Sequence, residues 1–530
     1  MKHHLFIPDL LTRAVRYYPD KTAVVDGEIR LTYVQFQERV NRLSRMLTGL
    51  GIKKGDRVAY LAPNTLQMLE GMFGVMQIGA VTVPLNTRLM PTDYAYILNH
   101  SGAGILLADA DLAPLIEPVK DELRRIEHFL LLPSPSVSER EGWTGYEPLL
   151  ATYPAEKPVI PEMDELDLAS ILYTSGTTGL PKGVMHSHRS LFFNALNTVV
   201  HLRVSDHDVL LHTLPLFHVN GWGTPFTFTG MGATHVMLRK IDPAHIFKLV
   251  KEEKVTIACM APTVLSMLVN DPQAQTFTPK HHVRVVIAGS APPPSYVQKV
   301  EEQLKWEFVQ VYGMTEAAPF LTVSHVKAHL DQSKENLHRI KAKAGIGMLN
   351  MEVRVVDENG QDVRPDGTQV GEIVTRGNSV MEGYWLQPDE TEKVFKDGWY
   401  YTGDMGTIDQ EGYIEIVDRK KDIIISGGEN ISSIEVEGVL YRHPAILEAT
   451  VIAVPHDKWG EVPHAVCVVK KDMPAATEQD LIAFCRTLLP SFKVPKSCSF
   501  VEELPKTASG KIQKVKLREA FWSGRDRKVN

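Results

Sequence analysis

Residues 172–184 read LYTSGTTGLPKGV, a hydroxyl- and glycine-rich stretch whose residue types suit the holding of phosphate. Gly176, Gly179 and Gly183 let backbone N–H groups turn toward an anion with no Cβ in the way, while Thr174, Ser175, Thr177 and Thr178 add hydroxyl donors. Lys182 brings a positive charge on a long stem. The spacing excludes the Walker loop, which needs Gly, four residues, Gly, Lys and then Ser or Thr. Here Pro181 stands where the second Gly belongs, and Gly183 follows the Lys. A flexible polar loop is the plain alternative for a turn of this composition, but the order of hydroxyls, glycines and lysine favours phosphate.

This segment resembles the phosphate-binding motif of the adenylate-forming enzymes, the superfamily of acyl-CoA synthetases, firefly-luciferase-like ligases and peptide-synthetase adenylation domains. Further segments follow in the family's order: LPLFHVNGW (214–222), AGSAP (288–292), VYGMTE (311–316), YTGD (401–404), DRKKDIIISGGENISSIEVE (418–437) and PKTASGK (505–511). The resemblance runs from about residue 17 to residue 516. It implies that a carboxylate attacks the α-phosphate of ATP, expels pyrophosphate and forms an acyl adenylate, whose acyl group passes to the thiol of coenzyme A. Bringing two anions together calls for positive charge, a divalent metal and fixed donors where charge develops.

The resemblance also assigns roles. Thr174, Ser175, Gly176, Thr177, Thr178, Gly179 and Lys182 hold the β- and γ-phosphates, Thr315 meets the α-phosphate, and Thr174 with Glu316 positions Mg²⁺. Magnesium keeps several waters, so two protein ligands suffice. Tyr312, followed by Gly313, stacks on adenine in a pocket lined by Gly289, Ser290 and Ala291. Asp404 accepts hydrogen bonds from the ribose hydroxyls, supported by Arg419. Lys511 is the catalytic lysine that bridges carboxylate and α-phosphate oxygens. Between the two half-reactions the small domain rotates about Lys421, whose neighbours Lys420 and Asp422 are expected to keep the hinge solvated. Gly427, Gly428 and Glu429 would then line a narrow path for pantetheine.

Amino-acid-activating relatives carry an Asp after the Phe of the LPLFH-like motif; here that position is His218, so an α-amino acid is not expected and His218 is placed near the carboxylate. The expected acyl wall is apolar or small: Trp222, Gly223, Val311, Met314 and Ala317, with Gly221, Ala288, Ala318 and Phe320. Burying an alkyl tail there would contribute about 0.8 kcal/mol per CH₂. The whole chain most resembles medium- and long-chain fatty acyl-CoA synthetases, in some of which a tryptophan matching Trp222 gates the tunnel. An aryl acid is the alternative substrate, and a carrier protein the alternative acceptor. A catalytically silent acyl or nucleotide binder is disfavoured because Glu316, Asp404, Arg419 and Lys511 are all present.

Elements that could position these groups are legible as alternating patterns. Phe36, Val40, Leu43, Leu47 and Leu50 recur at helical spacing before Gly51, and 58–61 reads as a strand. Helical 243–253 precedes apolar 255–260, and helical 296–305 lies between strands 283–287 and 308–311. Such alternation implies parallel βαβ units and an α/β fold. The expected organisation is a large N-terminal domain over 1–417 with parallel-rich sheets and helices, a hinge at 418–421, and a small, mobile α+β domain over 422–530. In the last, helix 433–441, strands 449–454 and 465–469 and helix 478–488 follow one another closely. The DRKKD stretch reads as an exposed connector between strands 414–417 and 423–425.

At 530 residues, 44% apolar and 23% charged, the chain is long enough for sizeable cores in more than one domain. A net charge of -7 argues against nucleic acid as the partner. The expected partners are ATP, a small carboxylic acid and coenzyme A, and the sequence is compatible with a homodimer. Cys259, Cys467, Cys485 and Cys498 stand apart in sequence and read as buried small hydrophobes of a reducing compartment. No secretory leader or membrane-spanning run is recognised, so a cytoplasmic location is expected.

Overall fold

The helix expected over 34–50 forms as Tyr33–Gly49, started by Thr32 and Gln35, which cap each other's backbone N–H groups. Its apolar stripe, Phe36, Val40, Leu43 and Leu47, is buried. The stripe lies against Leu66–Gln77, a helix buried on every side. Close approach is built into that packing: a Cβ on Gly74 would sit 2.7 Å from Leu43 Cδ2, and one on Gly71 2.4 Å from the Tyr60 ring. Glu70 in this helix is fully buried and stays tied to Arg39 at 2.7 Å and to the Tyr146 hydroxyl at 2.5 Å.

The computed structural model describes residues 3–137, 139–174, 180–289, 292, 294–331, 333–427, 429–470, 473, 476–506 and 512–522. Two large sheets carry the α/β organisation. In the eight-stranded sheet, Leu168–Thr174, Val81–Pro84, Arg57–Leu61, Ala103–Asp109 and His128–Leu132 run parallel in that spatial order, and Lys182–Ser187 joins antiparallel at one side. In the nine-stranded sheet, Val209–Leu211, Ile257–Met260, Arg284–Ile287 and Glu307–Gly313 are parallel neighbours, followed by the antiparallel Phe320–Val323. Strands buried on both faces read as continuous apolar runs, which is why these segments were visible without alternation. The helix expected over 296–305 divides into Pro294–Lys299 and a wider turn, Val300–Leu304.

A five-stranded antiparallel sheet follows, built on Met351–Val356, Gly371–Gly377, Trp399–Ile408 and Ile414–Arg419. The last sheet pairs Ile424–Ser426 with Glu429–Ile431 and Gly460–Val469, and Gly460–Val469 with Ile446–His456; Ser497–Phe500 adds in parallel. Ser433–Leu440 and Glu478–Leu488 pack on it around a separate core of Ile424, Val436, Leu440, Val451 and Leu481.

Two expectations are corrected. The DRKKD connector is exposed only at Arg419 and Lys420. Asp418 is buried and accepts from the Ser433 N–H and hydroxyl, both at 2.6 Å, and Asp422 is buried in an ion pair with Arg518 at 2.6 Å. Acidic residues that cap a helix and pair with an arginine leave water, so Asp422 does not solvate the hinge. The cysteines are also less isolated than their spacing implies. Adjacent parallel strands bring the sulfurs of Cys467 and Cys498 to 4.0 Å, and Cys498 is only half-buried. Among the described residues, no helix is long and apolar enough to cross a membrane.

Candidate active site

The glycine-rich loop opens at a hairpin whose two ends face each other: Thr174 closes the strand Leu168–Thr174, and Lys182 is its direct cross-strand partner. A hydroxyl and an ammonium are thereby fixed at one mouth. Residues 175–179 lie outside the described residues, as do Ser290, Ala291, Gly428 and Lys511. The Lys182 ammonium meets Glu390 Oε2 at 2.5 Å and lies 4.9 Å from the centre of the Tyr384 ring. The Tyr384 hydroxyl donates to Glu316 Oε1 at 3.0 Å. Lys182 and Glu316, 134 positions apart in the numbering, thus bracket one tyrosine.

Glu316 is placed by the turn after the strand Glu307–Gly313. Gly313 is required there, because a Cβ would fall 2.0 Å from the Pro319 carbonyl oxygen as the chain folds back. The Met314 N–H donates to that same oxygen at 3.0 Å, and Met381 N–H donates to the Glu316 carbonyl at 2.8 Å. Thr315 is buried, and its carbonyl accepts from His186 Nε2 at 2.7 Å. Burial holds the His186 imidazole down to about 4, so at neutral pH it is uncharged and keeps the Nε2–H tautomer this bond requires.

On the same strand Tyr312 donates its hydroxyl to Asp404 Oδ2 at 2.8 Å. Asp404 and Arg419 are direct partners on adjacent antiparallel strands, with Arg419 Nε 3.4 Å from Asp404 Oδ1. Burial and the nearby Asp404 carboxylate push the Tyr312 hydroxyl well above its ordinary range, so it remains a donor. Gly289 adopts φ +105 at the end of the neighbouring strand.

Most of the expected acyl wall is brought together, while Ala318 belongs to a different core cluster. Trp222, Val311, Ala317 and Phe320 belong to one buried apolar cluster, with Ala288, Tyr312 and Met314 packed against it. Trp222 meets Phe320 edge-to-face at 5.7 Å. The turn that carries Trp222 is unusual. Val219, Asn220, Gly221, Trp222 and Gly223 all have positive φ, from +49 to +71. Three of these are not glycine, and each such residue costs about 1 kcal/mol or more in the left-handed region. The turn is held by its surroundings: Asn194 Nδ2 donates to the Trp222 carbonyl at 3.2 Å, and Thr224 Oγ1 donates to the Gly221 carbonyl at 2.8 Å. Gly223 has no room for a side chain, since a Cβ would lie 2.4 Å from Asn194 Nδ2. His218 enters this turn half-buried, its carbonyl accepting from Gly221 N–H at 3.0 Å.

Lys421 is half-buried, and burial lowers its ammonium to about 8. Gly427 and Glu429 sit on a tight hairpin where a Cβ on Gly427 would lie 2.6 Å from the Trp459 ring. Among the described residues, their backbone partners are in the C-terminal sheet, not at the Tyr312 site. His186, Tyr384, Glu390 and Asn194 were not singled out from sequence. Each acts across more than 100 positions or through a backbone carbonyl, which leaves no local spacing to read.

A family profile described as AMP-binding enzyme matches residues 11–385, and one described as AMP-binding enzyme C-terminal domain matches 435–511. Two curated relatives span nearly the whole chain. A peroxisomal trans-cinnamate:CoA ligase of Petunia hybrida is 38% identical, covering 96% of this chain and 92% of that protein. A 2-methylpropanoate–CoA ligase of Humulus lupulus is 40% identical, covering 96% and 94%. The crystal structure of an anthranilate CoA ligase in complex with anthranoyl-AMP superposes with a TM-score of 0.90 at 26% identity, covering 98% of each chain.

Proposed function

Because this chain belongs to the family of AMP-binding enzymes and is an acid–thiol ligase, we propose that it joins a compact apolar carboxylic acid, short or branched aliphatic or aryl, to coenzyme A through an acyl-AMP. The observation that carries the reading is the edge-to-face seating of Trp222 on Phe320, beside the strand that bears Tyr312 and the turn after it that bears Glu316. A buried indole at that place shortens the space left for an acyl tail, and the nucleotide groups adjoin it directly.

In this reading Tyr312, Asp404 and Arg419 orient the nucleoside, with the tyrosine hydroxyl fixing the carboxylate that receives the ribose. Thr174 and Lys182 meet the outer phosphates, and Thr315 meets the α-phosphate with its backbone steadied by His186. His218 faces the acid's carboxylate. Lys511 supplies charge to both reacting anions, Lys421 is the pivot between half-reactions, and Gly427, Gly428 and Glu429 line the thiol path.

Thr174 and Glu316 offer a hydroxyl and a carboxylate, hard oxygen donors that suit Mg²⁺. Among the described residues, no group of three His, Cys, Asp or Glu is arranged to hold a metal ion on its own. When bound, Mg²⁺ would neutralise phosphate charge.

A medium- or long-chain fatty acid is the second reading, favoured by the apolar side chains of the acyl wall. Release of AMP in the presence of CoA, measured over C2 to C18 and aromatic acids, separates the two. The first expects kcat/KM to peak among short, branched or aryl acids. A maximum at C10 or beyond would replace it with the second. Substituting a phosphopantetheinyl carrier protein for CoA tests the acceptor.

A further inference from the structure

The ammonium of Lys182 is already engaged by a carboxylate that no step of the reaction uses. Glu390 lies in the short helix Pro388–Val394, which has no buried residue, and its Oε2 stands 2.5 Å from Lys182 Nζ. Glu390 also pairs through Oε1 with Lys393, one turn along the same helix. The two lysines hold its carboxyl down to about 2, so it is ionised at any working pH. The Lys182 ammonium also lies over the Tyr384 ring, whose hydroxyl is bound to Glu316.

We infer that Glu390 is an internal competitor of the nucleotide's outer phosphates for Lys182, and that it takes the lysine back when pyrophosphate departs. The inference rests on the proposed role of Lys182 in meeting those phosphates. The geometry makes the exchange easy in both directions. When Lys182 swings to a phosphate, Glu390 keeps Lys393 and is not left as an unpaired anion. When the phosphates leave, the lysine regains Glu390 as a partner and is not left as an unpaired cation. The helix that carries Glu390 has no fully buried residue and meets the apolar core only through Val394 at its end, so the Glu390 turn can yield to the exchange. Glu390 therefore sets the affinity for the triphosphate and eases pyrophosphate release, without touching the reacting atoms.

The test is equilibrium binding of Mg-ATP, pyrophosphate and AMP to the full-length protein, by calorimetry in the absence of acid, for wild type, Glu390→Gln, Lys393→Gln and Lys182→Ala. Glu390→Gln should tighten ATP and pyrophosphate by about two- to fivefold, the scale of a partly exposed ion pair, and leave AMP within error of wild type. Lys393→Gln should act in the opposite direction, because Glu390 then holds Lys182 alone. Both effects should shrink as salt is raised. If Lys182→Ala weakens ATP while Glu390→Gln leaves it unchanged or weakens it, the inference is wrong and the role of Lys182 stands. If Lys182→Ala leaves ATP binding intact, the role of Lys182 fails and takes the inference with it. An equal tightening of AMP in Glu390→Gln would also overturn it, since AMP has no outer phosphates.

Discussion

The Tyr312 hydroxyl stands 2.8 Å from Asp404 Oδ2, across 92 positions of chain, and joins the parallel sheet to the antiparallel one. In the proposed reading, one ring serves both as the adenine platform and as the fixture of the neighbouring carboxylate. Tyr312→Phe keeps the platform and removes the fixture. A hydrogen bond to a charged acceptor is worth about 1.5–3 kcal/mol, so the KM for ATP should rise roughly tenfold or more, with a smaller change in kcat. Steady-state kinetics with ATP varied would show this. An unchanged KM would mean that Asp404 is held adequately by Arg419.

Lys511→Ala should lower acid-dependent ATP–pyrophosphate exchange by about 10² to 10³, the usual scale for losing one electrostatic donor in a closed site. Exchange at the wild-type rate would remove Lys511 from the first half-reaction.

Trp222→Gly deletes the indole seated on Phe320 and suits the left-handed backbone at that residue, φ +64, so strain relief offsets part of the lost packing. Each methylene admitted to the vacated space contributes about 0.8 kcal/mol. The ratio of kcat/KM for octanoate over butyrate should therefore rise by about tenfold or more. A ratio within twofold of wild type would place the acyl tail elsewhere.

Lys421→Pro fixes the backbone between Arg419 and the buried Asp422–Arg518 pair. Acyl-AMP formation should persist while thioester formation falls, as read by pyrophosphate exchange against acyl-CoA production. Equal loss of both would count against Lys421 as a pivot.

His186 and His188 are fully buried, and burial lowers both to about 4, against about 6.5 in the unfolded chain. The unfolded state binds protons first as pH falls, so the contribution of each imidazole is complete above pH 6.5 and is lost between there and about pH 4. The loss amounts to roughly 3 kcal/mol per residue at the lower end. The denaturation midpoint should drop steadily below pH 6. In His186→Gln and His188→Gln the drop should be shallower.

The parallel strands were readable because both faces are buried, which leaves unbroken apolar runs such as 284–287 and 257–260. The groups proposed to hold the nucleotide were readable because each falls in a short ordered motif, at a strand end for Thr174 and Arg419, within a strand for Asp404 and in a turn for Glu316. What escaped was made by tertiary contact. Asp422 is chemically a hinge-surface residue until Arg518 arrives from 96 positions away. Cys467 and Cys498 become neighbours only through the pairing of two parallel strands. The left-handed turn of residues 219–223 could not be foreseen, because Val219 and Trp222 both disfavour it, and contacts from Ser170, Asn194 and Thr224 help to sustain it.

Val311 and Tyr312 are consecutive on one pleated strand, and a pleat turns successive side chains to opposite sides. Val311 is lodged wholly in the apolar cluster, whereas Tyr312 also reaches the antiparallel sheet that holds Asp404. In the proposed reading a single ribbon of backbone parts two neighbours, the acid on the Val311 side and the adenosine on the Tyr312 side. Substitutions facing the first would then change which acid is taken while leaving the second undisturbed.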